Sequence, residues 1–355
     1  HISEQRVFKA LEEGRFGTAK LIRSEYGDLR RLLGRIPSLL DFDANESIDP
    51  MIIINKYGSY PAFLQQYEQD CPYSLSPKKL DYLKFISTKM ASGKRRGELL
   101  ILQKLLKSSD RSVDVASAAC RSNESTASTI RMLSGEFSTR GEQLIREVDG
   151  KIVLDSRFET ALSDPWFRSC VSDVIEFGLS RNEAAFAETY KDTDFVLNQK
   201  YTREDVCRLL RWAKEPNYQN VGGYFHDKET NTFPVFINYE KDPDISVTTQ
   251  YEDRFVSDRE IICISKSNRT LQSPEIGNLA HARELGMRCF LFLRKNKKDK
   301  DDGTEFYFLG EMHPTGHFEQ IVMEDGSTSA VEITYDLETP VRADLYDYFL
   351  SSFDK

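Results

Sequence analysis

Residues 222–239 read GGYFHDKETNTFPVFINY, and the way this stretch distributes its rings decides what kind of sheet the chain builds. Removing the polar middle leaves two short strands, YFHD and TFPVFINY, joined by a turn made from DKETN. Successive side chains on a strand alternate between faces, so a hairpin with one wet face alternates apolar with polar residues. Phe233, Val235, Ile237 and Tyr239 share one face, yet Phe236 lies on the other beside Asn238. Tyr224 and Phe225 likewise point to opposite sides. Rings on both faces imply a sheet that is covered on both.

The surrounding sequence carries more of the same texture. YTREDVCRLLRW reads as a short helix with Thr202 as N-cap and Asp205 three residues on, a capping box with Asp in place of Glu. Short strands follow in SVTTQYEDRFV, REIICISK, MRCFLFLRK, EFYFLGEM, HFEQIVM and AVEITYDLE. One helix, SPEIGNLAHARELG, interrupts them, and LYDYFLSSF closes the chain. About eight short strands with one or two helices point to a barrel or a strongly bent sheet over residues 196–355, the first being a mixed β-barrel of the SRA/PUA-like kind. In a closed barrel the inner face fills the core while the outer face is covered or forms a groove, which explains most of the two-sided rings without any special function.

Upstream the pattern is helical. Residues 1–92 read as a helical coupler in which Asp49-Pro50 opens a short helix, Gly58 ends it, and SPKKLDYLKFISTKM forms another. Residues 93–195 read as a winged-helix-like module. ELLILQKLLKS gives a first helix, SVDVASAAC a short second, and SNESTASTIRMLSGEF a third capped by Ser122 or Asn123. LIREVDGKIVLD then makes a hairpin around Asp149-Gly150. The third helix of such a module can contact DNA, but Arg131 is its only donor, which favours a packing role. Lys94, Arg95 and Arg96 read as a solvated charge run. The fold class is therefore α+β.

The 355 residues suffice for two or three domains, and 39% hydrophobic with 30% charged residues describes a globular chain. No apolar run approaches the ~18 residues of a spanning helix. HISEQRVFKALEEG has neither an initiating Met nor a signal-peptide core, so the sequence reads as a piece of a longer protein. Cys71, Cys120, Cys170, Cys207, Cys263 and Cys289 show no CxxC spacing, which suits a reducing cytoplasm. The net charge is −9, and residues 196–355 hold 20 Lys+Arg against 28 Asp+Glu. That balance disfavours indiscriminate gripping of phosphate backbones. The chain lacks GxxxxGK[ST], HExxH and GxSxG. His313 and His317 straddle Pro314 and Gly316 in an expected loop, a poor metal site. The expectation is a chain with no catalytic residue, no metal and no cofactor of its own.

SLLDFDANESIDPMIIINKYGSYPAFLQQY, YTREDVCRLLRW, GGYFHDKETNTFPVFINYEKDPDIS, YEDRFVSDREI, SNRTLQSPEI, EFYFLGEM and LETPVRADLYDYFL together resemble the region beyond the helicase core in SauUSI-like type IV restriction enzymes. Those proteins join a phospholipase-D-type nuclease, a superfamily-2 helicase and a C-terminal domain. The resemblance implies a helical coupler followed by a target-recognition domain for DNA with 5-methyl- or 5-hydroxymethylcytosine. It also implies that ATP and Mg belong to helicase domains outside this sequence, and that those upstream domains are partners of the coupler. A protein-interaction or dimerisation module bracing the helicase, in which the chain forms a homodimer, is the alternative. No membrane partner is expected.

A reader of modified cytosine either feels the methyl in the major groove or flips the base into a pocket. A pocket needs rings to stack on and an acceptor for the N4 amino group. The candidate rings are Tyr224, Phe236, Tyr239 and Tyr251; the candidate acceptors are Glu252, Asp253, Asp242 and Asp244. Tyr251 and Asp253 lie two apart on one expected strand and form the leading pair. Core packing is the plain alternative for each ring, a surface ion pair for Asp253, and turn formation for Asp242 and Asp244. Backbone contacts are expected from Lys266, Ser267, Asn268 and Arg269, a polar loop before the Ser273 cap, and from Arg211 and Arg254. The run RKNKKDKDDG reads as a loop, basic first and acidic after.

Overall fold

Capping side chains write most of the helix starts in the first half of the chain. The computed structural model describes residues 18–118, 120–221, 223–239, 253–295, 304–323 and 325–351. Contacts divide the chain into two units, His1–Ala187 and Glu188–Lys355. In the first unit α1 spans Thr18–Leu33 and α2 spans Leu39–Ala44, the latter opened by a capping box between Ser38 and Asp41. Asp49 caps α3 (Pro50–Tyr57), with Pro50 at its first position and Gly58, at φ 86°, at its end. Ser59 caps α4 (Tyr60–Tyr67), and Ser76 caps α5 (Pro77–Met90). Helices α6 (Arg96–Lys107), α7 (Asn123–Ser134, capped by Ser122), α8 (Ser156–Ala161) and α9 (Pro165–Ala185, capped by Asp164) follow. Helix α9 packs against α2, α5 and α6, and its buried Phe167, Val171, Val174 and Phe177 make it the axis of this unit.

Strands β1 (Ser112–Asp114), β2 (Ile145–Val148) and β3 (Lys151–Leu154) form a small sheet in the order β1-β3-β2. Asp149 and Gly150 join β2 to β3 with φ values of 51° and 74°, the double positive φ of a type I′ turn that suits strand twist. Two expectations fail here. SVDVASAAC is not a helix: Val113 is buried in β1, which pairs with β3, and only one 3₁₀ turn, Val115–Ser117, follows. The Lys94–Arg95 pair is not a solvated face, because both are buried. Arg95 Nη2 lies 2.7 Å from Glu98 Oε1, and its Nη1 donates to Ser128 Oγ at 2.8 Å. A buried pair of this kind costs about 3–5 kcal/mol when one partner is removed.

The second unit is built on one sheet. After β4 (Lys200–Thr202) the capping box of Thr202 and Asp205 opens α10 (Arg203–Leu209), and α11 (Tyr218–Val221) is a single turn. Strands β5 (Thr232–Asn238), β6 (Arg254–Ser257) and β7 (Glu260–Ile264) precede α12 (Pro274–Ala280) and α13 (Ala282–Leu285). Then come β8 (Arg288–Arg294), β9 (Glu305–Val322), β10 (Ser329–Leu337) and α14 (Ala343–Leu350). The order is β5-β8-β9-β10-β7-β6, with β4 also on β9. Among the described residues, only β5 and β8 run parallel.

Six of the seven residues of β5 are buried. Phe233, Val235 and Ile237 face a core closed by Ile276, Leu279, Leu345 and Phe349 from α12 and α14. Phe236 faces the other way, stacked on Phe292 at 5.3 Å and edge-on to Phe306 at 5.2 Å, in a cluster that includes Phe195, Tyr201 and Phe308. Both faces are thus covered, as the ring pattern required, although not by barrel closure. Among the described residues β5 and β6 stand at opposite ends of the strand order and do not pair. Segments packed on both faces do the covering that closure was expected to do.

Two strand boundaries also move. YFHD makes only isolated bridges, Tyr224 with Val235 and Asp227 with Thr232. EFYFLGEM and HFEQIVM are one strand, β9, with no loop at Pro314. Pro314 sits where the β9–β10 register shifts, next to Tyr335, a position that tolerates a missing N–H donor. Among the described residues no helix is long and apolar enough to cross a membrane.

Asp173 provides a test of this packing. It is held in the first unit, where the Leu39 amide donates to both its oxygens at 3.2 Å. Burial outweighs that bond and raises its carboxyl from 3.8 to about 7. The folded chain therefore keeps a proton that the unfolded chain releases, so this group favours the fold most below about pH 4 and loses that contribution as pH rises through about 7. In urea unfolding, Asp173→Asn should gain stability relative to the wild type as pH rises across this window. A constant difference between the two proteins would show that the carboxylate is solvated.

Candidate functional site

The expected base-binding residues do not form one cup. Tyr224 is 3% exposed and Phe236 5% exposed, and they lie on opposite faces of the sheet. Phe236 is therefore packing, shielded by its stack on Phe292. Tyr239 is half-buried against Phe255 and Phe349, and its hydroxyl accepts from the Phe255 amide at 3.2 Å. Tyr251, Glu252, Asp242 and Asp244, like most of RKNKKDKDDG, lie outside the described residues. Asp253 accepts from the Ile264 amide at 2.8 Å, which ties it to β7.

The expected backbone contacts are mostly engaged elsewhere. Arg211 pairs with the buried Asp194 at 3.1 Å, and Arg254 pairs with Glu332 at 3.0 Å. Lys266 donates to the Asn220 carbonyl at 3.3 Å, and burial lowers its pKa. Ser267 is exposed. Asn268 takes a left-handed φ of 63° and donates its amide to Ser329 at 2.7 Å. Arg269 lies 3.7 Å from Glu275 in the first turn of α12. The loop is therefore pinned between β10 and α12. Trp212 is core, donating to Thr232 Oγ1 at 2.9 Å.

What the structure does bring near one another are two buried phenols and two half-buried acids. Tyr224 comes from the segment before β5, Tyr335 from β10, Asp253 from the start of β6 and Glu275 from α12, near enough that the acids act on the phenols through their charge. Tyr335 is fully buried, and neither phenol oxygen has a hydrogen-bond partner among the described residues. Glu275 Oε1 is buried and equally unpartnered. Burial first, then the charges of Cys263, Asp253 and Glu275, push both phenols well above their ordinary pKa. Both hydroxyls therefore remain protonated donors. Lys266 and Arg269 stand beside Glu275, close enough that their charges act on one another. Of these, Tyr335 and Glu275 had no distinguishing mark in the sequence. Tyr335 continues the core alternation of Val331 and Ile333, and Glu275 reads as an ordinary first-turn acid.

A second cluster lies on β9 and β10. Glu311, His313 and Glu338 offer ligand atoms within 4.8 Å of one another. Lys191 Nζ already bridges Glu311, at 3.1 Å, and Glu338, while Arg288 binds Glu311 and Asp192 at 3.0 Å each. Burial would raise the Glu338 carboxyl, but hydrogen bonds from Lys191, His313 and Tyr190 outweigh it and hold it at about 2. Cations of the chain occupy the oxygens a metal would need, so this is an ion-pair network.

Residues 195–349 match a family described as a domain of unknown function, DUF3427, and residues 22–185 match a second such family, DUF8090. No curated protein matches the sequence. Among solved structures, the chain is similar to the DNA recognition domain of the cytosine modification-dependent restriction endonuclease LpnPI. That match has 13% identity and a TM-score of 0.30, over 44% of this chain and 80% of that one. It is also similar to the sulfur-binding and SRA domains of ScoMcrA complexed with phosphorothioated DNA (12%, TM-score 0.28, 58% of this chain and 64% of that one). A third similarity is to KRYPTONITE in complex with mCHG DNA and SAH (13%, TM-score 0.28, 48% of this chain and 38% of that one). The chain thus spans less than two thirds of the last two.

The unpartnered phenols make a stability prediction. A buried hydroxyl without a partner costs about 1–3 kcal/mol, so Tyr335→Phe should leave the melting temperature unchanged or raise it. A loss above about 1 kcal/mol would mean that the hydroxyl has an acceptor.

Proposed function

We propose that residues 188–355 recognise duplex DNA carrying 5-methyl- or 5-hydroxymethylcytosine for a SauUSI-like type IV restriction enzyme. Residues 18–187 then act as the coupler to helicase and nuclease domains elsewhere in the polypeptide, where ATP and Mg are used. The observation that carries the reading is the interior polar group at the start of α12. Cytosine presents acceptors at O2 and N3 and a donor at N4. Two protonated phenols supply donors, and Glu275 or Asp253 supplies an acceptor. Cys263, buried beside both phenols, offers a soft apolar wall to a 5-methyl group.

Recognition by this group requires the base to leave the stack, which costs a few kcal/mol. It also requires Tyr224 and Tyr335 to part, because both are sealed. Their unsatisfied hydroxyls lower the cost of that opening, since the closed state leaves donors unpaired. In the first unit, α6, β1, α7 and the β2–β3 hairpin follow the order of a winged helix. The exposed residues of α7 include Asn123, Glu124 and Ala127, a poor surface for phosphate, so this module packs rather than reads DNA.

The test is binding of the whole chain to duplexes that differ only in the modification, at one fixed salt concentration. The wild type should favour the modified duplex, and Glu275→Gln should erase the preference while the chain stays folded. Equal affinity for both duplexes overturns the reading. A tight dimer that shifts no DNA at low salt would select the protein-interaction alternative.

A further inference from the structure

Arg203 is the first residue of α10, and its position is unusual for a charged group. Its guanidinium carbon lies 5.3 Å from the Phe236 ring centre and 5.1 Å from that of Phe306. Both rings are buried. The side chain is half-buried, and its Nε is sealed from water without an acceptor. Among the described residues no carboxylate, carbonyl or hydroxyl bonds to Arg203. Elsewhere in the same unit, Arg208, Arg211, Arg254, Arg269 and Arg288 each face a carboxylate. Arg294 approaches the same Phe306 ring at 4.3 Å and donates through Nε to Asn238 Oδ1.

Stacking on rings holds a guanidinium in place, but it satisfies none of the in-plane N–H donors. A partly desolvated cation without an anion destabilises the fold that contains it. Burial acts on Arg203 accordingly, lowering its pKa. What is missing is an anion whose oxygens match the planar donor fork, and phosphate does so in a bidentate manner.

We propose that Arg203, clamped on Phe236 and Phe306, is a preformed binding site for a phosphodiester of the DNA backbone. The proposal rests on the reading of the second unit as a DNA-recognition domain, and it concerns overall grip rather than choice of base. Phosphate contacts position a protein without carrying sequence information, so the two are separable.

The experiment measures duplex affinity of the whole chain over a series of salt concentrations for wild type, Arg203→Gln and Arg203→Lys, with inorganic phosphate as a competitor. In Arg203→Gln, affinity for modified and unmodified duplex should fall together, by about ten-fold, and the salt slope should drop by about one. The preference for the modified duplex should stay intact. Arg203→Lys should recover part of the affinity, and inorganic phosphate should compete better against wild type than against Arg203→Gln. Parallel salt slopes with wild-type affinity would overturn this proposal while leaving the modified-base reading standing. Loss of the preference in the wild type would instead remove the reading. A fall in melting temperature for Arg203→Gln, with unchanged DNA binding, would mean that a carboxylate of the chain is the partner and would also overturn the proposal.

Discussion

Val235 and Phe236 are adjacent in sequence and belong to two different interiors. Every other property of the second unit follows from that two-sided burial. A strand sealed on both faces has no room for charge along its length, so ionic groups collect at strand ends and edges. Arg288 does so at the start of β8, beside Asp192, and Arg294 at the end of the same strand, while Glu311, buried within β9, is compensated by Arg288 and Lys191. The sheet needs a covering layer on each side, supplied on one face by α12 and α14 and on the other by rings that include Phe195 and Tyr201. Each fully buried phenylalanine of this kind contributes on the order of 1.5–3 kcal/mol.

Within so thoroughly packed a unit, unpartnered polar atoms stand out. Many polar groups have partners: Trp212 reaches Thr232, Arg211 reaches Asp194, and His313 reaches Glu338. Among the described residues of this unit, the buried atoms without one are the hydroxyls of Thr189, Tyr218, Tyr224 and Tyr335, Glu275 Oε1 and Arg203 Nε. Native structures rarely leave such atoms alone, and each case asks for a reason. Under the proposed function a bound nucleic acid gives a reason for four of them, with a base for Tyr224, Tyr335 and Glu275 and a phosphodiester for Arg203.

Local features were legible in the sequence because the interactions that make them span three or four residues. The capping box at Thr202, the Asp49-Pro50 start, and the Asp149-Gly150 turn all formed as their residues dictate. Ring placement on both faces of β5 was also readable from period-two alternation. What failed depended on partners far along the chain. Arg95 is buried because Ser128 lies over it, SVDV is a strand because β3 runs beside it, and Pro314 stays in β9 because a register shift with β10 admits it. The candidate site was only half visible for the same reason. The alternation that separates Phe236 from Val235 already excluded a single cup containing Tyr224, Phe236 and Tyr239. The meeting of Tyr224 with Tyr335 and Glu275 needed three elements separated by more than forty residues each.

The central claim is that the interior phenols meet the modified base. It is tested most directly by placing fluorotyrosine at 224 and 335 and recording ¹⁹F spectra during titration with methylated and unmethylated duplex. The account predicts that both resonances move with the methylated duplex and stay in place with the unmethylated one. Stationary resonances in a complex that is demonstrably formed with methylated DNA would contradict it.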